Sequence, residues 1–284
     1  MIYEKKTLNC GGRLVSIAEP LVMGILNITP DSFYDGSRYT SQDEWLRQAG
    51  KMVDEGATFI DVGGMSSRPG AAIVDEDEER KRVLTAIESL HHRFPEALIS
   101  IDTLRAGVAA ESIAAGACLI NDISAGSLDE QMYPTVARLG VPYVLMHMQG
   151  TPDTMQKEPV YEDVVQEVLD FFIRETGKLR ALGVSDIILD PGFGFGKTVA
   201  HNYRLLTMMH TFGMLECPVL AGISRKSMIC KVLEVPPENA LNGTTALHMV
   251  ALQHGAKILR AHDVREAREV IKLWQETVAA AKSQ

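Results

Sequence analysis

A repeat of short apolar runs constrains the fold more than any other feature of this sequence. Eight of them, "LVMGILN", "TFIDVGG", "ALISIDT", "CLINDIS", "PYVLMHM", "DIILDPG", "PVLAGIS" and "AKILRAHD", each close in a polar or glycine-bearing turn. Runs that are apolar without alternation belong to strands buried on both faces, as in parallel sheets. Stretches of helical character, such as "DEDEERKRVLTAIESLHHRF" and "VYEDVVQEVLDFFIRETGKLRALG", lie between them. Eight strand–helix alternations predict an α/β fold, a (β/α)8 TIM barrel, and 284 residues suit one such domain. A doubly wound open sheet is the other fold this pattern allows, but it rarely needs eight equal units. Glycines in "DEGATFI", "AAGACLI", "ARLGVPYV", "ALGVSDII" and "QHGAKIL" all stand just after a helical stretch, as C-caps do. The opening "YEKKTLNCGGRLVSI" places Gly-Gly between two alternating arms and predicts an N-terminal β-hairpin over 1–18, ahead of a barrel over 22–284. With no linker and no low-complexity stretch, the whole of 1–284 reads as a single domain.

The net charge of −9 argues against general binding of nucleic acid or membrane surfaces, so an anionic ligand needs a local cluster of cations. Cys10, Cys118, Cys217 and Cys230 form no C-x-x-C pair and read as reduced thiols. The first residues are charged rather than apolar, and no run approaches the length of a membrane span. A cytoplasmic location is the expectation.

"LDPGFGFGKT", Leu189 to Thr198, ends like a phosphate-binding P-loop, but Pro191 stands where that motif needs its first glycine. As a dinucleotide fingerprint it fails too, because Lys197 replaces the third glycine. Its meaning depends on the other strand ends, where a barrel keeps its chemistry. Those ends carry Asn27, Asp61, Asp102, Asn121 and Asp122, His147, Asp190, Lys226, and Arg260 with His262. Polar residues often just mark where strands meet water, but charges at so many strand ends must be paired or bind something. Asp102, Asn121 and Asp190 are expected to line the mouth and suit a flat heterocycle rich in N–H donors. Ile123, Met146 and Phe195 are placed to sandwich such a ring, although core packing is the alternative for each. Arg260 and His262, with Ser67 and Arg68 of the second loop, are expected to clamp phosphate or diphosphate. No metal-ligand spacing occurs; Asn27 is placed to give one oxygen to Mg²⁺, the diphosphate and waters supplying the rest.

Together "GILNITPDSFYDG", "DVGGMSSRPG", "SIDT", "INDIS", "MHMQGTP", "LDPGFGFGKT", "GISRKS" and "RAHDV" resemble the dihydropteroate synthase family from about Gly24 to Val264. Each motif is weak alone; eight in order, one per strand, are specific. The resemblance implies condensation of 6-hydroxymethyl-7,8-dihydropterin diphosphate with p-aminobenzoate, giving 7,8-dihydropteroate and diphosphate in folate biosynthesis. It also implies Mg²⁺ dependence, inhibition by sulfonamides and a homodimer. Residues matching the family's pterin site are Asp102, Asn121, Ile123, Met146, Asp190, Phe195, Gly222 and Lys226. Those matching its diphosphate site are Asn27, Ser67, Arg68, Arg260 and His262, with Asn27 also touching the metal. The p-aminobenzoate slot falls on Phe33, Ser67, Pro69, Phe195, Lys226 and Ser227. Asp31, Asp102 and Lys226 are expected to act in catalysis, the two carboxylates by stabilising positive charge. The first two loops are expected to act as lids. One departure stands out: Met65 replaces the Glu common in the family's second motif, which removes a carboxylate.

Three rival readings share parts of this pattern: a pterin-binding methyltransferase, a Schiff-base aldolase using Lys226, and a non-catalytic pterin-binding paralogue. The last helix, "REAREVIKLWQETVAAA", shows an apolar stripe including Val270, Leu273 and Trp274, expected to pack on the barrel, with a dimer contact as the alternative.

Overall fold

The computed structural model describes residues 6–28, 41–65, 74–150 and 159–282. Gly11 and Gly12, at φ 62° and 88°, turn the chain between β1 (Thr7–Cys10) and β2 (Arg13–Ser16), an antiparallel pair. This is the expected hairpin. Eight further strands, β3 (Leu21–Asn27), β4 (Phe59–Gly63), β5 (Leu98–Asp102), β6 (Leu119–Asp122), β7 (Tyr143–Met146), β8 (Ile187–Asp190), β9 (Val219–Ala221) and β10 (Ala256–Ala261), pair in parallel and close on themselves, β10 beside β3. The described helices follow the strands: α1 (Ser41–Asp54), α2 (Glu76–Arg93), α3 (Ala106–Ala114), α4 (Met132–Leu139), α5 (Val164–Ala181), α6 (Val199–Thr207), then α7 (Ser227–Leu233) and α8 (Leu241–Gln253) together between β9 and β10, and α9 (Val264–Lys282). The expected barrel is the fold observed.

Alternation along each strand makes two cores. Ile60, Ile99, Ile120, Leu145, Leu189 and Leu259 point outward into the layer shared with the helices. Met23, Phe59, Leu98, Leu119, Val144, Ile188, Leu220 and Ile258 point inward and fill the lower barrel. Leu8, Cys10 and Ile17 of the hairpin join that inner cluster, and Asn9 N–H donates to Asp186 Oδ2 at 2.8 Å. The hairpin therefore plugs the N-terminal end of the barrel. Two residues further along seven of the strands stand Asp61, Ser100, Asn121, Met146, Asp190, Gly222 and Arg260. Period two sends these residues inward as well, one layer higher, so the polar site lies directly on an apolar floor.

Helix ends follow ordinary electrostatics. Asp75 caps α2 through Asp77 N–H, four acids occupy its first turn, and His91, His92 and Arg93 its last. On α9 the structure corrects the expected stripe. Val270 and Trp274 pack on the barrel, but Leu273 is 62% exposed, because its position falls on the solvent side of the helix.

Candidate active site

The inner polar layer is built around one guanidinium. Arg260, from β10, donates through Nε to Asp61 Oδ2 at 2.7 Å and through Nη2 to Asp102 Oδ2 at 2.8 Å. Asn121 Nδ2 donates to the same Asp61 oxygen at 2.9 Å. Asp61 is fully buried, and the Arg260 and Asp102 side chains are 15% and 14% exposed. A buried carboxylate persists only where a cation and hydrogen bonds replace its water. Even so, burial pushes the Asp102 carboxyl up to about 7; Arg260 pulls it down, and Asp61 and Asp122 push it up again. Asp61 Oδ1 and Ser100 Oγ, on register-paired residues of β4 and β5, are buried without a hydrogen-bond partner among the described residues.

The facing wall comes from β8 and β9. Asp190 Oδ1 accepts Gly192 N–H at 2.8 Å, and burial raises this carboxyl above its ordinary value against the pull of Lys226. Lys226 Nζ donates to Phe193 O and stands 4.6 Å from the centre of the Phe195 ring. Burial brings the amine down to about 8, with Asp190 opposing. A Cβ on Gly222 would lie 3.6 Å from Asp190 Oδ2 and 3.8 Å from Lys226 Nζ, so glycine keeps open the space where carboxylate and ammonium converge. Ile123, Met146 and Phe195 form a separate apolar cluster with Leu104 and Met148 beside it. The site thus joins acceptors on two walls, a single ammonium and an apolar slot. That combination takes a flat, N–H-rich ring edge-on to the carboxylates.

At the rim, His262 N–H donates to Ser224 Oγ at 3.2 Å, and its Nδ1 lies 3.0 Å from the same oxygen. Ser224 Oγ thus holds His262 at the rim through both its backbone N–H and its ring Nδ1. Asn27 ends β3 in register with Gly63, where a Cβ would lie 3.6 Å from both Asn27 Oδ1 and Asp102 Cβ. The Asn27 amide oxygen therefore borders the same mouth.

Residues 23–262 match the family described as pterin binding enzyme. The chain is 45% identical to the dihydropteroate synthase of Haemophilus influenzae over 275 residues, 96% of this chain and 99% of that one. The chain belongs to the dihydropteroate synthase family. A solved Yersinia pestis dihydropteroate synthase with a sulfonamide drug complex superposes with a TM-score of 0.89 at 43% identity, covering 96% of this chain and 99% of that one. A Xanthomonas albilineans dihydropteroate synthase in complex with 7,8-dihydropteroate superposes with a TM-score of 0.87 at 37% identity, over 96% and 99% of the two chains.

Asp102, Asn121, Ile123, Met146, Asp190, Phe195, Gly222 and Lys226, the residues expected to hold a pterin, all lie at this one mouth. Arg260 and His262 leave the end of β10 together, but Arg260 points inward to its two carboxylates while His262 is exposed at the rim. Ser227, the first residue of α7, is exposed beside Lys226. Asp31, Phe33, Ser67, Arg68 and Pro69 lie outside the described residues, as do both expected lids. Beside Met65, Arg105 pairs with the fully buried Glu79 and lies 3.9 Å from Met65 Sδ.

Several strand-end polar groups serve the scaffold instead. Asp122 accepts from Ser124 N–H, Ser124 Oγ, Gly126 N–H and Tyr143 Oη, fixing the turn after β6. Arg225 grips Asp263 with two nitrogens at 2.8 Å and the carbonyls of Pro237 and Glu238 with a third. Burial is the largest influence lowering the Lys226 amine. Asp61 is the member of this polar layer that residue type at a strand end does not mark as a ligand group. Its signal was a lone charge in mid-run of "FIDVG".

Gly192 has φ 67°, and a Cβ there would meet His147 O at 1.9 Å. Gly192→Ala is expected to destabilise the protein by about 3 kcal/mol, from left-handed strain plus overpacking. Thermal unfolding would show this as a lowered Tm; an unchanged Tm would mean the loop after β8 repacks freely.

Proposed function

We infer that the chain condenses 6-hydroxymethyl-7,8-dihydropterin diphosphate with p-aminobenzoate to 7,8-dihydropteroate and diphosphate, in folate biosynthesis, using the mouth described above. The observation that carries the assignment of residues is the pairing of Asp102 and Asn121 on one wall with Asp190 and Lys226 on the other, around the slot of Ile123, Met146 and Phe195. Carboxylates accept the ring N–H and exocyclic amine, Asn121 matches a mixed donor–acceptor edge, and Lys226 donates to a ring acceptor. With the ring held, diphosphate leaves the methylene carbon and the electron-rich ring carries the resulting positive charge. Asp102 and Asp190 face that charge, and in this reading Asp31 does so from the first loop. Arg260, His262, Ser67 and Arg68 meet the departing anion at the second and eighth strands. The neutral aniline nitrogen then attacks the methylene carbon and loses its proton to solvent. This chemistry needs fixed charges, placement and exclusion of water rather than a strong base. Phe33, Ser67, Pro69, Phe195, Lys226 and Ser227 are the residues we propose for p-aminobenzoate. Sulfonamides, which mimic that substrate, are the expected inhibitors.

Among the described residues no cluster of three His, Cys, Asp or Glu side chains forms a metal cage. One amide oxygen, Asn27 Oδ1, at an anion-binding mouth fits Mg²⁺, which is held mainly by phosphate oxygens and water. Bound there, Mg²⁺ would neutralise the diphosphate. A homodimer rests on the family resemblance. The cytoplasmic location rests on the sequence, whose scattered cysteines form no C-x-x-C pair. No described helix is long and apolar enough to cross a membrane.

The pH profile of kcat/KM tests the roles of Asp102 and Lys226. The free enzyme must bind ring N–H groups with ionised Asp102 and donate from protonated Lys226. Activity should rise as pH passes about 7, the Asp102 value, and fall as it passes about 8, the Lys226 value. Asp102→Asn should remove the acid limb. His147, held down near 2 by burial and Lys197, contributes no limb. A flat profile across neutral pH would contradict both roles.

A further inference from the structure

The lysine of "GFGFGKT" is used by neither the phosphate reading nor the pterin reading, yet its ammonium is buried among four polar contacts. Lys197 is 5% exposed. Its Nζ donates to Gly192 O at 3.0 Å, Phe195 O at 3.0 Å and His147 O at 3.2 Å, and lies 3.0 Å from His147 Nδ1. An ammonium has three protons, and three carbonyls take them. Two of these carbonyls belong to the loop after β8 and the third to the segment leaving β7. Burial pushes the amine down to about 7, so the fold bears a cost in keeping it there.

The two backbones joined by Lys197 carry the two sides of the apolar slot. Met146 and Met148 flank His147, while Phe195 and the Asp190–Gly192 contact lie on the other segment. The segments also touch directly: a Cβ on Gly192 would meet His147 O, and one on Gly196 would lie 2.5 Å from Gln149 O. Glycine at 192, 194 and 196, each with φ between 64° and 87°, lets the loop coil around the lysine head. We propose that Lys197 is a positioning residue for the pterin: it staples the loop after β8 to the end of β7, and so fixes the gap between Met146 and Phe195 and the direction of Asp190. It touches neither substrate. The proposal rests on the pterin reading of this mouth.

Lys197→Met keeps the length and removes every donor; Lys197→Gln keeps an amide donor. Each is purified, its folding checked by circular dichroism and thermal unfolding, and its affinity for 6-hydroxymethyl-7,8-dihydropterin measured by calorimetry beside the wild type. Inorganic diphosphate is then tested as a product inhibitor, because its proposed ligands Arg260 and His262 come from β10 and the turn after it, not from the two segments that Lys197 joins. The expected result is a folded Lys197→Met enzyme whose pterin affinity and kcat/KM fall about 100-fold, the scale of a misplaced binding group. Diphosphate inhibition should be unchanged, and Lys197→Gln should fall between Lys197→Met and wild type. Unchanged pterin affinity in a folded variant would overturn the proposal. Equal losses for pterin and diphosphate would also overturn it, because they would mark a general structural role. So would failure of both variants to fold, which would make Lys197 a requirement of the barrel. If the wild type itself does not bind the pterin, the reading of the mouth fails first, and that outcome is separate from the others.

Discussion

Arg260→Met is expected to cost about 4 kcal/mol of folding free energy and to abolish turnover, although methionine matches most of the arginine's volume. The guanidinium is the cation between Asp61 and Asp102, and Asp61 is fully buried. Without it, the Asn121 N–H is the hydrogen bond left to Asp61 among the described residues, and the Asp61 and Asp102 carboxylates, on the adjacent strands β4 and β5, lose the cation they share. Removing one partner of a buried ion pair costs more than the pair contributes, because a charge is left unpaired in low dielectric. The sign of the pH dependence is fixed. Asp102 is already raised to about 7, above its ordinary value, so its protonation supports the fold fully below that ordinary value, and the support is lost as pH rises through about 7. Arg260 is the group pulling it down, so the variant's window extends to higher pH. The destabilisation should therefore shrink between neutral pH and about pH 5, as Asp102 takes up its proton. Urea unfolding at both pH values measures this, and adding Asp61→Asn should return part of the loss as a positive coupling. A neutral-pH cost of less than about 1 kcal/mol would place the pair among exposed salt bridges and contradict the geometry.

Asp190→Asn separates function from stability in the opposite way. The variant should lose about 10³-fold in kcat/KM, the cost of two charge-assisted hydrogen bonds to a ring. Its stability should be unchanged or higher. Burial is the largest influence on Asp190 and disfavours its charge, whereas asparagine needs no such desolvation and keeps an oxygen for Gly192 N–H. The amide presents its own N–H groups where the ring needs an acceptor. Steady-state kinetics and thermal unfolding on one preparation give both numbers. A large drop in Tm would mean that Asp190 is structural and that the loss of activity follows from it.

The barrel was legible because its evidence is periodic. Eight buried runs with helical stretches between them leave few topologies, and Gly11-Gly12 marked the hairpin. The site was legible where residue type and strand end coincide, as at Asp102, Asn121 and Asp190. What escaped was direction. Asn121 and Asp122 are neighbours, but period two sends the first into the barrel and the second into the turn holding Ser124 and Gly126. Counting from the apolar floor, Phe59 to Asp61 and Ile258 to Arg260, would have placed both partners inside. Their pairing spans 199 residues of chain, and no local pattern carries it. Lys197 escaped for the same reason: its acceptors are backbone carbonyls, which every residue has. On α9, Leu273 matched an apolar stripe by type, while its angular position belongs to the solvent side.

The most direct test of the central claim is formation of 7,8-dihydropteroate from 6-hydroxymethyl-7,8-dihydropterin diphosphate and p-aminobenzoate, followed with and without Mg²⁺, beside an Asp190→Ala control. Mg²⁺-dependent product that vanishes in the control is the predicted result, and it would establish both the reaction and the pterin wall. No product from a folded wild-type enzyme that still binds the pterin would contradict the account and leave a pterin-binding protein without this activity.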